Sequence, residues 1–155
     1  MIALAGEFFA TKDDPSQLSV TEEVMERLTA LHPASLSEHV EGDGPVVWVL
    51  LIPTTRELMQ AFLKGSVTEQ QLYEQTPVGV SYDAIYLCSA LVLPEFRRKG
   101  LAKELAVKAV NRIRRDHPVK ALFSWPFSIE GERLAHAIAE ETELPLMARR
   151  GRSGN

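Results

Sequence analysis

The run from Ile85 to Leu93 constrains this chain more than any other segment. It is apolar at nearly every position, on both faces that a strand presents. Such a strand is stable only inside a sheet covered on both sides. Val46 to Ile52 repeats the pattern. The run is followed by a basic turn, Arg97-Arg98-Lys99-Gly100, and then by a helical stripe. Ala102, Leu105, Ala106, Ala109, Val110 and Ile113 recur at helical spacing. That helix has to stop before Pro118. A further apolar run, Ala121 to Trp125, reads as the next strand. Strand, turn, helix, strand is a βαβ unit with a right-handed crossover. The expected class is therefore α/β, with at least one parallel strand pair.

The remaining segments fit that class. Ser19-Val20-Thr21-Glu22 has the form of a capping box ahead of Val24, Met25, Leu28 and Leu31. That helix is expected to end near His32-Pro33. Thr54-Thr55-Arg56-Glu57 and Thr68-Glu69-Gln70-Gln71 read as two more capping boxes. The helices they open occupy residues 54–76, with Gly65 as a stop between them. Ile129 to Glu141 reads as another helix, Ile2 to Phe9 and Leu146 to Ala148 as short strands, and 149–155 as a frayed basic tail.

With 155 residues and 45% apolar side chains, one domain spanning 1–155 is expected. Disordered, collagen-like and coiled-coil classes do not fit this composition. The one cysteine, Cys88, excludes an intrachain disulfide and a cysteine-rich zinc site. It fits a reducing compartment. Met1 to Glu7 carries no basic leader, and no apolar run approaches the roughly 20 residues that span a bilayer. These features lead to the expectation of a cytoplasmic protein without a membrane partner. The four histidines show no metal-ligand spacing, so no metal is expected.

Charge is distributed unevenly. Residues 1–92 hold four basic and thirteen acidic side chains, whereas 93–155 hold thirteen basic and eight acidic. Nine of the basic residues fall between Arg97 and Lys120, against two acidic ones. The first amides of a helix lack an intrahelical acceptor and carry the positive end of its dipole. A basic turn with a glycine at that point is a phosphate site. Neither the Walker pattern nor the dinucleotide fingerprint is present. The net charge of −4, and the absence of aromatics among the basic residues, speak against nucleic acid.

The pattern that is present is Arg97-x-x-Gly100-x-Ala102, led in by Val92-Leu93-Pro94-Glu95-Phe96-Arg97. It resembles the acetyl-CoA-binding motif of the GNAT superfamily of N-acetyltransferases, Gln/Arg-x-x-Gly-x-Gly/Ala. The resemblance covers Ile85 to Trp125 closely and extends more loosely to Leu144. It implies a mixed central sheet with flanking helices and a βαβ core that binds acetyl-CoA. Arg97, Arg98, Lys99, Gly100, Leu101, Ala102 and Lys103 would surround the pyrophosphate. Leu91, Val92 and Leu93 would serve the acetyl carbonyl and pantetheine arm. The strand Ala121 to Trp125 would diverge to form the other wall of the cleft. The helices of 54–76 would stand where relatives carry a strand hairpin, over the acceptor.

The resemblance implies transfer of an acetyl group to a small-molecule or peptide amine, and it is compatible with a homodimer. Two departures bear on mechanism. Many relatives carry a Tyr as general acid in the last helix, where this chain has Ala139, with His136 nearby in sequence. Some carry a Glu as base on the long strand, where this chain has Tyr86. Tyr86 and Ser124 are then the expected proton-transfer residues, ahead of Cys88. The alternative is a module that binds acetyl-CoA or CoA without catalysis.

Overall fold

The computed structural model describes residues 22–42, 44–96, 100–125 and 129–149. The strand expected at Ile2 to Phe9 and the capping residues 19–21 lie outside them. The first helix, α1, is Glu22–Leu31, and a 3-10 turn at Pro33–Ser35 follows. Strands β1 (Leu36–Glu41) and β2 (Gly44–Thr54) lead to helices α2 (Arg56–Leu63) and α3 (Glu69–Gln75). Strand β3 is Ala84–Val92, helix α4 is Leu101–Asp116 and strand β4 is Ala121–Ser124. Helix α5, Ile129–Thr142, and strand β5, Leu146–Ala148, complete the order. The protein is thus α/β, with a mixed sheet of five strands among the described residues.

The sheet runs β1-β2-β3-β4-β5. The pairs β1–β2 and β2–β3 are antiparallel. The pairs β3–β4 and β4–β5 are parallel, as the βαβ reading requires. Both faces are covered. Trp48, Leu50, Ile52, Tyr86 and Phe123 pack under α1, α2 and α3. Val47, Val49, Leu51, Ile85 and Leu122 pack under α4 and α5. This is why β2 and β3 are apolar at successive positions rather than alternating.

Helix α4 buries Ala106, Ala109, Val110 and Ile113, while Arg112, Arg114 and Arg115 face outward. Small alanines let the helix lie close to the sheet, and the cations near its end suit the dipole. Arg114 also donates to the carbonyl of Thr142, at 2.8 Å, and so ties down the end of α5. The α2–α3 pair is fixed from below and from the side. Helix α2 ends in a Schellman motif, with Ser66 N–H bonded to Ala61 O at 2.9 Å and Gly65 at φ 82°. The hydroxyls of Thr54 and Thr76 meet at 2.7 Å beneath α3. Arg27 of α1 donates to the carbonyls of Glu74 and Thr76.

Two local expectations need correction. The cap of α2 is Thr55, which accepts from Leu58 N–H, so the Thr54–Glu57 box does not form. Thr54 belongs to β2, where its hydroxyl is buried. The Thr68–Gln71 box forms as expected, with both reciprocal bonds present. Strand β1 was not anticipated, because Leu36–Glu41 is a largely exposed edge strand without a continuous apolar face.

The four histidines, which read from the sequence as surface or capping residues, are of both kinds. His136 is exposed and His39 half-exposed on the edge strand. His32 is buried, accepts from Ala34 N–H and meets Asp116 at 2.7 Å. His117 caps α4 and packs on the Tyr82 ring, 4.7 Å between centroids, and its Nδ1 accepts from Tyr82 N–H. Burial lowers the His117 pKa below its ordinary 6.5, helped by His32 and opposed by Asp116. The fold therefore prefers the neutral ring, and protonation favours the unfolded chain. Its contribution is complete above about pH 6.5 and declines as pH falls through that value. Urea midpoints are expected to drop between about pH 7.5 and 5.5, and His117→Gln is expected to flatten that drop. An unchanged pH slope in His117→Gln would contradict the assignment.

Candidate functional site

The site is built where two parallel strands part. Among the described residues, strand β4 pairs with β3 at three positions: Ala84 with Ala121, Ile85 with Leu122 and Tyr86 with Phe123. Strand β3 continues to Val92 without β4 beside it, still paired to β2 on its other edge. At the parting the strand carries a bulge. Leu50 stands opposite Ser89 and Leu51 opposite Leu87, which leaves Cys88 as the extra residue. A bulge bends a strand and re-aims its side chains, and bulges are common beside functional sites. The other wall is firm to its tip, because Arg149 N–H donates to Ser124 O at 2.9 Å and keeps β5 on β4.

The N-terminus of α4 lies beyond the carboxyl end of β3. Gly100 is its cap residue at φ 74°, ψ 10°, with no side-chain cap bond. Its carbonyl accepts the first helical bond, from Glu104 N–H at 3.0 Å. A Cβ there would meet no atom within 4 Å. The glycine is thus needed for its backbone conformation, and the space in front of it is open. The amides of Leu101, Ala102 and Lys103 occupy the turn that has no internal acceptors. Beside it, Lys103, Lys108, Glu104 and Val107 of α4 and Glu141 of α5 line a shallow groove of about 360 Å³. Arg97, Arg98 and Lys99 lie outside the described residues. Leu91 and Val92 end the stretch of β3 beyond β4 and Leu93 follows it, all half-buried.

The two expected proton-transfer residues are not brought together. Tyr86 is 0% exposed and Ser124 is 4% exposed. Tyr86 packs with Phe123 on the α1–α3 face. Ser124 alternates with Phe123 and so shares the opposite face with Leu122. The Tyr86 hydroxyl donates to Glu69 at the start of α3, a carboxylate only 3% exposed. Phe62 covers the Tyr86 ring at 4.8 Å. Cys88 is half-buried beside the same face. Ala139 faces the core under α5, and His136 lies on the outer side near Glu132.

Three residues at the site escaped the sequence reading. Glu69 reads as an ordinary first-turn carboxylate of a capped helix, and nothing in the sequence signals its burial against Tyr86. Phe62 reads as one member of a helical stripe, yet its ring touches Tyr86, Phe123 and Trp125. Arg149, expected at the start of a frayed tail, is anchored. Its guanidinium covers Trp125 and Phe62 and donates to Val67 O. Among the described residues there is no cluster of metal-ligating side chains, and no helix is long and apolar enough to cross a membrane. No family model, no curated protein and no solved structure matches the chain significantly.

Proposed function

We propose that this protein binds acetyl-CoA in the cleft between β3 and β4 and transfers its acetyl group to an amine. The observation that carries the reading is the parting of β3 from β4 after Tyr86, with a bulge at Cys88 and an exposed, glycine-capped helix start at the same end. Parallel strands bind ligands outside their carboxyl ends, and a helix start binds phosphate. The Val92-Leu93-Pro94-Glu95-Phe96-Arg97 lead-in and Arg97-x-x-Gly100-x-Ala102 add the chemical identity of the ligand. On this reading the diphosphate rests on the amides from Gly100 to Lys103.

The thioester lies along β3 between Leu87 and Val92. The uncharged amine nitrogen attacks the thioester carbonyl carbon from the α1–α3 side, the C–N bond forms as the C–S bond breaks, CoA leaves as thiolate, and the proton shed by the nitrogen passes through solvent to that thiolate. Holding both reactants in one cleft supplies much of the rate. Ser124 is on the cofactor face, the side of the leaving thiolate. Tyr86, bonded to Glu69, is on the acceptor face, the side of the departing ammonium proton. A non-catalytic CoA-binding module is the second reading, favoured by Ala139 in the place of the acid. Thiol release from acetyl-CoA with a panel of amines separates the two. The transferase reading expects release that depends on amine and saturates in both substrates. Binding of acetyl-CoA with no amine-dependent release across the panel would leave the module.

A further inference from the structure

Arg149 is held in a way that orients it toward a ligand. It stands at the carboxyl end of β5, beside the carboxyl end of β4. Its central carbon lies 4.0 Å from the Trp125 ring centroid and 4.8 Å from that of Phe62. One N–H donates to Val67 O at 3.1 Å, across the loop between α2 and α3. Among the described residues it has no carboxylate within ion-pair distance. A guanidinium presents five N–H donors in one plane. The guanidinium carbon lies over the Trp125 ring, the Phe62 ring stands at 81° to that one, and Nη2 lies beside Gly65, so the Nε side of the fork is what remains for a further acceptor. With its rotamer fixed by two aromatic rings and a carbonyl, Arg149 loses little freedom on meeting an anion.

Its position selects which anion. Phe62, under the guanidinium, also packs against Tyr86, the last residue of β3 that pairs with β4. Arg149 is therefore on the α1–α3 face, opposite the helix start at Gly100. An anion there belongs to the acceptor rather than to the diphosphate. We infer that the stacked guanidinium of Arg149 receives a carboxylate of the acceptor, so that the acceptor is an amine carrying a carboxylate, as an amino acid does. This rests on the transferase reading for the word acceptor, while the anion site itself can be tested alone. A planar carboxylate matches the guanidinium fork with two parallel bonds, which an amide or an alcohol cannot reproduce.

The test is titration of the full chain with L-amino acids and with their primary amides, with and without saturating CoA. Tryptophan fluorescence and the Arg149 Nε–H resonance report binding, since Trp125 stacks on this group. At least one acid is expected to bind about tenfold or more tighter than its amide, a difference of about 1.4 kcal/mol. Arg149→Met is expected to bring acid and amide to equal affinity, with acetyl-CoA affinity unchanged. Arg149→Lys keeps the charge but not the fork and is expected to retain part of the preference. A residue that only latches β5 to the α2–α3 loop would lower the melting temperature of Arg149→Met without altering the ratio of acid to amide. Equal binding of acids and amides by the parent, or no binding of either with and without CoA, overturns the proposal. An acid preference in a protein that ignores acetyl-CoA keeps the anion site and removes the transferase. Acetyl-CoA binding without an acid preference removes the anion site and leaves the cofactor cleft standing.

Discussion

Gly100→Glu is expected to fold and to lose acetyl-CoA. The backbone at Gly100 is left-handed, which costs an L side chain about 1–2 kcal/mol. A carboxylate at a helix start returns about 0.3–1 kcal/mol through the dipole. No atom lies within 4 Å of the new Cβ, so no clash adds to the cost. A net loss of about 1 kcal/mol corresponds to a melting temperature lower by about 2–4 °C. The side chain nevertheless stands in the space that the diphosphate must enter, with a negative charge. Affinity for acetyl-CoA is expected to fall at least about 100-fold, or about 2.8 kcal/mol. Gly100→Asn is the control, because Asn tolerates the left-handed region and brings no charge. It is expected to bind within about tenfold of the parent. A folded Gly100→Glu protein with parental affinity would remove the helix start from the binding site.

The largest expected loss of stability follows from Phe62→Ala. The Phe62 ring is fully buried and packs against Tyr86, Phe123 and Trp125, at centroid distances of 4.8, 5.7 and 5.8 Å. Truncation of such a side chain costs about 3–5 kcal/mol, from lost transfer energy and from the cavity left behind. In a domain of this size that lowers the melting temperature by about 6–20 °C. Phe62→Leu fills most of the volume and is expected to cost less than half as much. Chemical denaturation of both variants checks the expectation. A loss under about 1 kcal/mol for Phe62→Ala would mean that the ring cluster does not hold α2 on the sheet.

The fold is legible where one physical cause acts within a short stretch. The stripe from Ala102 to Ile113 announces α4 because one face of one helix repeats every turn. The double-faced runs announce β2 and β3 because helices cover both sides of the sheet. Strand β1 is silent because Leu36–Glu41 is an edge that buries little. The parallel pairing of β3 and β4 follows from the βαβ order, but the point where they part does not. It depends on the length of β4 relative to β3 and on the bulge at Cys88, and neither leaves a mark in composition.

The candidate site divides in the same way. Gly100 and its helix start are local, so spacing reveals them. The faces of Tyr86 and Ser124 depend on strand register, and one residue of register reverses a side chain. Glu69 meets Tyr86 across 17 positions, and Arg149 meets Val67 across 82. A buried carboxylate at a capped helix start, and an arginine at a strand end, look like solvated charges until the fold assembles their partners.

The most direct measurement is calorimetric titration of acetyl-CoA into the protein, with NAD as the comparison nucleotide. The account predicts saturable one-to-one binding of acetyl-CoA that is lost in Gly100→Glu, and no comparable binding of NAD. Ligand at 100 times its dissociation constant is expected to stabilise the fold by about 2.7 kcal/mol. No heat and no shift in melting temperature at millimolar acetyl-CoA, or equal binding of NAD and acetyl-CoA, would contradict it.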